Sequence, residues 1–134
     1  MVNLDTGTGL ALISEGSPQR HLLKATIGRS SMVMTQTAVA EFQQIVRAVA
    51  GPLEHGRAAR LLQRVQVIPD NPSSRALGLR LTKSVGSRDI IVFGTGDALG
   101  VVTLSADAKF VRGAAAQGVN FNVFVHAPVP LTGA

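Results

Sequence analysis

The stretch Arg88–Phe110, RDIIVFGTGDALGVVTLSADAKF, decides the fold because two structures are compatible with it. In the first, a buried strand IIVF runs into a glycine-rich loop that holds phosphate groups. In the second, a helix begins near Asp89, and the short strand VVTLS then carries the chain to Asp107. The first structure predicts a nucleotide-binding protein, whereas the second predicts a metal site built from carboxylates.

The glycines of this stretch fit the dinucleotide-binding pattern poorly. Gly94, Gly96 and Gly100 follow the spacing G-x-G-x-x-x-G, whereas the pattern is G-x-G-x-x-G. Too little chain follows Gly100 for a complete βαβ unit and the acidic residue that contacts the ribose. A nucleotide site at Gly94–Gly100 is therefore the least favoured alternative.

The composition predicts a single globular domain. The chain has 134 residues, of which 46% are hydrophobic and 16% are charged. No apolar run approaches the roughly 20 residues that span a bilayer, so no membrane segment is expected. Cysteine is absent, which excludes disulfides and thiolate metal sites and is consistent with a cytoplasmic location.

The charge balance favours a polyanionic partner. The formal net charge is +5, and the isoelectric point lies near 11.1. Aromatic residues make up only 4% of the chain, with no Trp or Tyr, so platforms for stacking bases are scarce. If nucleic acid binds, its phosphates are expected to supply most of the contacts.

Short apolar runs alternate with helix-length segments along the whole chain. This alternation predicts an α/β fold, a single three-layer domain with a mainly parallel central sheet. The predicted strands cover 1–5, 31–35, 65–69, 101–105 and 119–126. The predicted helices cover 17–28, 36–50, 56–65 and 106–118, with a further helix-like patch at 9–14 and a break at 51–56. Another predicted helix is capped by Asn71 or Ser73 and runs to residue 85. The domain is expected to cover 1–126, and 127–134 to form a short C-terminal tail on the surface.

Four of the eight acidic residues occupy positions that call for an explanation. Asp5 and Asp107 each follow a predicted strand, and ligand sites in such sheets lie beyond the carboxyl ends of the strands. Glu41 precedes the core-facing Phe42 in a helix, and Asp89 is flanked by isoleucines. Individually, each has an ordinary explanation as a helix cap or a solvated residue. Together they predict a site for a hard divalent cation, Mg²⁺ or Mn²⁺.

The same positions resemble the motifs of the PIN-domain family, small metal-dependent ribonucleases that include many toxins of bacterial toxin–antitoxin pairs. The similarity extends over residues 2–110. The matching segments are VNLDT (2–6), TQTAVAEF (35–42), DIIVFGTG (89–96) and LSADAKF (104–110). Gly7 departs from the family pattern, which usually has Asn at this position, and Ser105 replaces the usual Thr.

This resemblance implies an endoribonuclease in which Mg²⁺ or Mn²⁺ activates water. It implies the catalytic residues Asp5, Glu41, Asp89 and Asp107, of which Asp5, Asp89 and Asp107 are the metal ligands. It also implies an RNA substrate, an antitoxin partner and a homodimer. The alternative is a degenerate PIN-like interaction module without catalysis, which the residue Gly7 favours.

Basic residues near the acids are candidates for binding RNA phosphate. This substrate-binding set comprises Arg88, Lys109, Arg112 and the hydroxyl of Ser105. Arg75, Arg80 and Lys83 lead along the chain towards Asp89, and Arg57, Arg60 and Arg64 share one helical face. The histidines His21, His55 and His126 show no metal-ligand spacing.

Overall fold

The structure, a computed structural model that describes residues 1–134, contains one five-stranded sheet in the order β3-β2-β1-β4-β5. All four strand pairs are parallel. The strands are β1 (Val2–Leu4), β2 (Met32–Thr35), β3 (Val65–Ile68), β4 (Val102–Ser105) and β5 (Val123–Val125). The helices are α1 (Thr6–Ile13), α2 (Arg20–Ile27), α3 (Gln36–Val49), α4 (Pro52–Arg64), α5 (Ser74–Leu77), α6 (Ser87–Leu99) and α7 (Ala108–Ala116). The predicted three-layer α/β fold is confirmed, and no helix is long and apolar enough to cross a membrane.

The strand order changes direction at the centre of the sheet. The chain proceeds outwards from β1 through β2 to β3, and then returns to place β4 on the other side of β1. Leu4 of β1 pairs with Leu104 of β4, so the ends of these two strands are adjacent. Open α/β sheets bind ligands at such a switch point, beyond the carboxyl ends of the strands.

The deciding stretch forms a helix, α6, followed by β4. Gly94 lies against Pro72 and Ala76, and Gly96 lies against Asn3 and Thr103, so these glycines allow close helix packing. Gly100, with φ 69°, ends the helix in the left-handed conformation. The interpretation of Gly94–Gly100 as a nucleotide-binding loop is therefore wrong, because two of its glycines are buried within the helix.

Replacing Gly96 with alanine is expected to destabilise the fold. A Cβ atom there would lie 2.4 Å from the Thr103 hydroxyl oxygen and 2.8 Å from the Asn3 amide nitrogen. Overpacking should cost about 1–3 kcal/mol, which outweighs the better helix propensity of alanine. Gly56→Ala is the matched control, since its nearest neighbour would be the Arg60 guanidinium at 3.5 Å. In urea denaturation, the free energy of unfolding of Gly56→Ala should equal or exceed that of the wild type. A Gly96→Ala protein with wild-type stability would contradict this packing.

Several predicted boundaries differ from the structure. The helix predicted from Asn71 or Ser73 to residue 85 is only the single turn α5. Ser73 rather than Asn71 caps it, and it is short because Gly78 ends it and irregular chain follows. The predicted break at 51–56 is instead the start of α4, where Pro52 occupies the first turn after Gly51. Helix α2 begins at Arg20 rather than at Ser17, and β5 is shorter than the strand predicted over 119–126.

The last residues are not a loose surface tail. The Ser14 hydroxyl donates a hydrogen bond to the Pro130 carbonyl, and Val129 and Leu131 pack against the core. The carboxylate of Glu54, fully buried in α4, accepts hydrogen bonds from the backbone N–H groups of Thr132 and Gly133. Residues 127–134 are therefore docked on the domain, although their composition resembles that of a flexible tail.

Candidate active site

The four predicted acids line one cavity of about 330 Å³ at the switch point. Asp5 follows β1, and Asp107 lies just beyond β4. Glu41 extends from the middle of α3, and Asp89 lies in the first turn of α6. The lining is completed by Thr6, Gly7, Leu10, Ile45 and Ala106, and it includes no Lys, Arg or His. The prediction that these acids meet at one edge of the sheet agrees with the structure.

Asp5 and Asp107 are held by local hydrogen bonds. The Thr6 N–H donates to one carboxylate oxygen of Asp5 at 2.8 Å, and the Ser105 hydroxyl donates to the other at 2.7 Å. Asp107 caps α7 by accepting from the Phe110 N–H. Each of these aspartates therefore caps a helix and lines the cavity at the same time.

Ser105 does not have the role predicted for it. Its side chain is fully buried, and its hydroxyl accepts from the Asp107 N–H at 2.9 Å while donating to Asp5. A hydroxyl committed to two protein partners has no proton left for a phosphate oxygen. Ser105 is therefore a positioning residue for Asp5 and Asp107 rather than a substrate-binding residue.

Removing the Ser105 hydroxyl should weaken the site more than the fold. In Ser105→Ala, Asp5 loses the hydrogen bond that favours its ionised form, so its pKa should rise further. We expect Mg²⁺ or Mn²⁺ affinity to fall about 10- to 100-fold, as for other residues that orient metal ligands. Ser14→Ala is the control, since Ser14 is equally buried but bonds only to Pro130 on another part of the surface. Equal cation affinities for the two variants would contradict this role.

The electrostatics of the cavity raise the pKa of two of its acids, Asp5 and Asp89. Burial raises the pKa of Asp5, hydrogen bonds from Ser105 and Thr6 lower it, and the charges of Asp107 and Glu41 raise it. Burial also raises the pKa of Asp89 to about 7, with further increases from the charges of Asp107, Asp5 and Glu41. Carboxylates that repel one another in a partly buried cavity bind a cation favourably, and shifts of this kind concentrate at functional sites.

Glu41 and Arg88 form an ion pair at the rim of the cavity. The guanidinium of Arg88 donates to the Glu41 carboxylate at 2.7 Å, and two-thirds of the Arg88 side chain (66%) remains exposed. Arg88 was predicted to bind RNA phosphate, and here it neutralises one of the four acids instead. Its exposure still leaves N–H groups directed towards solvent.

The donor set fits a hydrated cation better than an enclosed one. No three Asp, Glu or His side chains are arranged so that they can hold one metal ion directly. The cavity offers only oxygen donors, and Mg²⁺ commonly binds through one or two carboxylates while it keeps several waters. The oxygen donors present therefore suit a Mg²⁺ or Mn²⁺ ion that keeps several of its waters.

The remaining basic candidates lie outside the cavity. Lys109 and Arg112 are exposed on α7, and neither lines it. Arg75 lies elsewhere: it forms a bidentate pair with Asp97 at 2.6 and 2.8 Å and covers the Phe121 ring. The interpretation that Arg75 leads towards the acids is therefore wrong, because Arg75 is bound by Asp97 near the C-terminal end of α6, whereas Asp89 lies in the first turn of this helix.

Sequence reasoning missed the backbone that closes the cavity. Gly7, in the first turn of α1, faces Ala106, whose Cβ would lie 3.4 Å from a Cβ at position 7. A side chain there would therefore enter the space between the two acid-bearing loops. His126, in contrast, is an ordinary buried residue as predicted, since its ring bonds to the Thr8 hydroxyl and the Ala127 carbonyl.

Solved structures share the three-layer α/β fold of this chain. VapBC2 from Rickettsia felis, bound to a promoter DNA fragment, is 14% identical, with a TM-score of 0.62 over 96% of this chain and 100% of its own. FitAB bound to a DNA fragment is 15% identical, with a TM-score of 0.60 over 93% of this chain and 94% of its own. VapC20 from Mycobacterium tuberculosis, a toxin that cleaves the sarcin–ricin loop, is 17% identical, with a TM-score of 0.55 over 77% of this chain and 87% of its own. At these identities the similarity establishes the fold alone.

The family described as "Protein of unknown function (DUF1308)" matches residues 8–134. The chain therefore belongs to the DUF1308 family. The matched region includes Glu41, Asp89 and Asp107, while Asp5 lies just before it.

Proposed function

We propose that this protein is a metal-dependent endoribonuclease of the toxin type. The observation that carries the proposal is the convergence of Asp5, Glu41, Asp89 and Asp107 on one cavity, although they come from four separate segments. No cationic side chain lines the cavity, and at its rim Arg88 pairs with one of the four acids, Glu41. Burying several carboxylates together is unfavourable unless a bound cation or a proton offsets their charge.

In this proposal each acid has a distinct task. When bound, Mg²⁺ or Mn²⁺ would supply an activated water and would stabilise the charge that develops on the phosphate. Asp5, Asp89 and Asp107 hold the cation, and the Ser105 hydroxyl keeps Asp5 oriented. Glu41, which pairs with Arg88 at the rim of the cavity, would orient the attacking water. Asp89, whose pKa burial raises to about 7, would hold the cation in its ionised form.

Exposed basic residues and one structural comparison support RNA as the proposed substrate. Lys109 and Arg112 are exposed on α7, the helix that Asp107 caps, where they can contact RNA phosphates. The comparison with VapC20, a toxin that cleaves the sarcin–ricin loop, supports RNA as the substrate class. An antitoxin covering the acidic cavity and a homodimeric assembly remain part of the proposal, on the basis of the sequence resemblance.

Cleavage of a mixed RNA substrate with and without Mg²⁺ or Mn²⁺ tests the activity. Asp5→Asn and Asp107→Asn should lose at least about two orders of magnitude in rate, since each removes a charge from the metal site. Both should fold normally, because Asn caps helices about as well as Asp. Asp70→Asn is the control, since Asp70 is an exposed acid that bonds Thr37 away from the cavity. Intact cleavage by both site variants would refute the assignment.

A second candidate function is a non-catalytic interaction module, which is also the alternative that the sequence leaves open. It is favoured by the absence of a preformed three-ligand group and by Gly7, which leaves Asp5 without the neighbouring Asn side chain of the resembled family. Titration calorimetry with Mn²⁺ separates the two functions. Saturable binding that Asp107→Asn abolishes supports the nuclease, whereas no binding by either protein supports the interaction module.

A further inference from the structure

A second, larger cavity of about 570 Å³ is surrounded by positive charge. Six of its lining residues are basic, and we call them the basic groove: Arg20, Lys24, Arg29, Arg57, Arg60 and Arg64. Arg29 precedes β2, and Arg64 immediately precedes β3. The groove therefore lies at the amino ends of the strands, whereas the acidic cavity lies at their carboxyl ends.

Two of the six cations are held in place by the protein. The Arg57 guanidinium pairs with Glu15 at 2.6 Å and donates to the Ile13 carbonyl. The Arg20 guanidinium donates to the carbonyls of Leu12 and Ser14. Both arginines are partly buried, so the end of α1 fixes their positions beside the cavity. Such fixed cations can bind an anion with little loss of side-chain freedom.

The other four cations have no partner in the protein. Lys24, Arg29, Arg60 and Arg64 are exposed, and none forms an ion pair. Arg60 and Arg64 are four residues apart on α4, a spacing at which like charges on one helix face repel. The charged N–H groups of these four residues therefore remain available to an anion.

The lining of the groove limits what kind of anion fits. Its apolar residues are aliphatic, Leu12, Ile13, Ile27, Met32 and Leu61, and no aromatic ring is available for stacking bases. Its volume lies within the range of small-molecule sites, on the order of 300–1,000 Å³. Arginine binds phosphate through two parallel hydrogen bonds, and five of the six cations of the groove are arginines, with Lys24 as the single lysine.

We propose that the basic groove is a binding site for consecutive phosphate groups, supplied by a free polyphosphate compound or by a nucleic-acid backbone. Arg20 and Arg57 form its fixed wall, and Lys24, Arg29, Arg60 and Arg64 close on the ligand. This inference does not rest on the proposed ribonuclease activity, because it uses no residue of the acidic cavity.

Titration calorimetry with sodium tripolyphosphate in EDTA, and separately with a short single-stranded RNA, tests the site. The double variant Arg60→Gln/Arg64→Gln should bind at least about tenfold more weakly, since it removes two sets of charge-assisted hydrogen bonds. Arg80→Gln/Lys83→Gln is the matched control, because it removes the same charge from exposed residues outside the groove. Circular dichroism checks that both variants fold, and Asp89→Asn should bind tripolyphosphate like the wild type.

The two ligands distinguish the source of the phosphate. Groove-dependent binding of tripolyphosphate supports a free polyphosphate ligand, and groove-dependent binding of RNA alone supports a nucleic-acid backbone. Equal weakening in the groove variant and the matched control indicates unspecific charge attraction and overturns the proposal. Absence of binding by the wild-type protein also overturns it, as does equally tight binding of poly-glutamate, an anion without phosphate.

Discussion

Asp89→Asn is expected to reduce RNA cleavage by at least about two orders of magnitude and, at the same time, to stabilise the protein above pH 7. Asp89 lies in the acidic cavity, and burial together with the charges of Asp107, Asp5 and Glu41 raises its pKa to about 7. Loss of activity follows from the missing ligand charge. Increased stability follows because asparagine removes a carboxylate whose ionised form is unfavourable in the folded protein.

The sign of the pH effect follows from proton linkage. Between about pH 4 and pH 7 the folded protein binds a proton at Asp89 that the unfolded chain releases, so this group makes the wild-type protein less stable as the pH rises. At pH 8 the free energy of unfolding of Asp89→Asn should exceed that of the wild type by about 1–2 kcal/mol, because solvent screening at this partly exposed group reduces the full effect of the shift. Near pH 4 the two proteins should differ little.

Urea denaturation at pH 4 and pH 8 measures this difference. Asp70→Asn serves as the control, because Asp70 is exposed and lies outside the cavity. Saturating Mn²⁺ should stabilise the wild type much more than Asp89→Asn, since a ligand that binds only the folded state stabilises it. A stability gain at pH 8 with unchanged cleavage would separate the electrostatics of the cavity from catalysis and contradict the role assigned to Asp89.

Glu54→Gln is expected to cause the largest loss of stability among these variants. The Glu54 carboxylate is fully buried and accepts hydrogen bonds from the backbone N–H groups of Glu15, Gly51, Thr132 and Gly133 and from the Thr132 hydroxyl. A glutamine places an amide group where an acceptor is required, so some of these donors lose their partner. The free energy of unfolding should fall by at least about 3 kcal/mol, because hydrogen bonds to charged groups contribute about 1.5–3 kcal/mol each.

The effect of Glu54 depends on pH in the opposite direction to that of Asp89. Burial raises the pKa of Glu54, but the donated N–H groups outweigh burial and lower the pKa to about 2. Its contribution to stability is therefore complete above the ordinary pKa near 4.5 and is lost as the pH falls to about 2. The difference between wild type and Glu54→Gln should decrease over the same interval.

Glu15→Gln is the matched control for Glu54→Gln. Glu15 pairs with Arg57 at the surface, with 41% of its side chain exposed, so its loss should cost less than about 1 kcal/mol. Thermal and urea denaturation at pH 7 compare the two variants, and proteolysis of the C-terminal residues reports whether 127–134 detach. Equal stability of the two variants would contradict the role of Glu54 as the anchor of this segment.

Much of the acidic site could be predicted from the residues and the strand pattern. Asp5 and Asp107 follow apolar strands, and parallel strands place their carboxyl ends at one edge of a sheet. The helix over Ser87–Leu99 was harder, because Ile90–Phe93 has the composition of a strand, and only the resemblance to the PIN-domain family favoured a helix. Buried packing of Gly94 and Gly96 overrides their low helix propensity.

Other features had no local signal in the sequence. Glu54 occurs in an amphipathic helix like any exposed acid, and the segment 127–134 has the composition of a free tail. The prediction that Ser105 binds substrate was wrong. Its two partners, Asp5 and the Asp107 N–H, become apparent only when β1 and β4 are paired.

By itself, the sequence determined the α/β class, the parallel sheet and the acids that gather at its carboxyl edge, because strand periodicity and strand ends are local properties. Only the tertiary structure decided which charges are neutralised and which remain free. Arg88 pairs with Glu41 across two helices, and the basic groove joins α2 to α4. These pairings depend on distances between segments far apart in the chain, and no local pattern of residues encodes such distances.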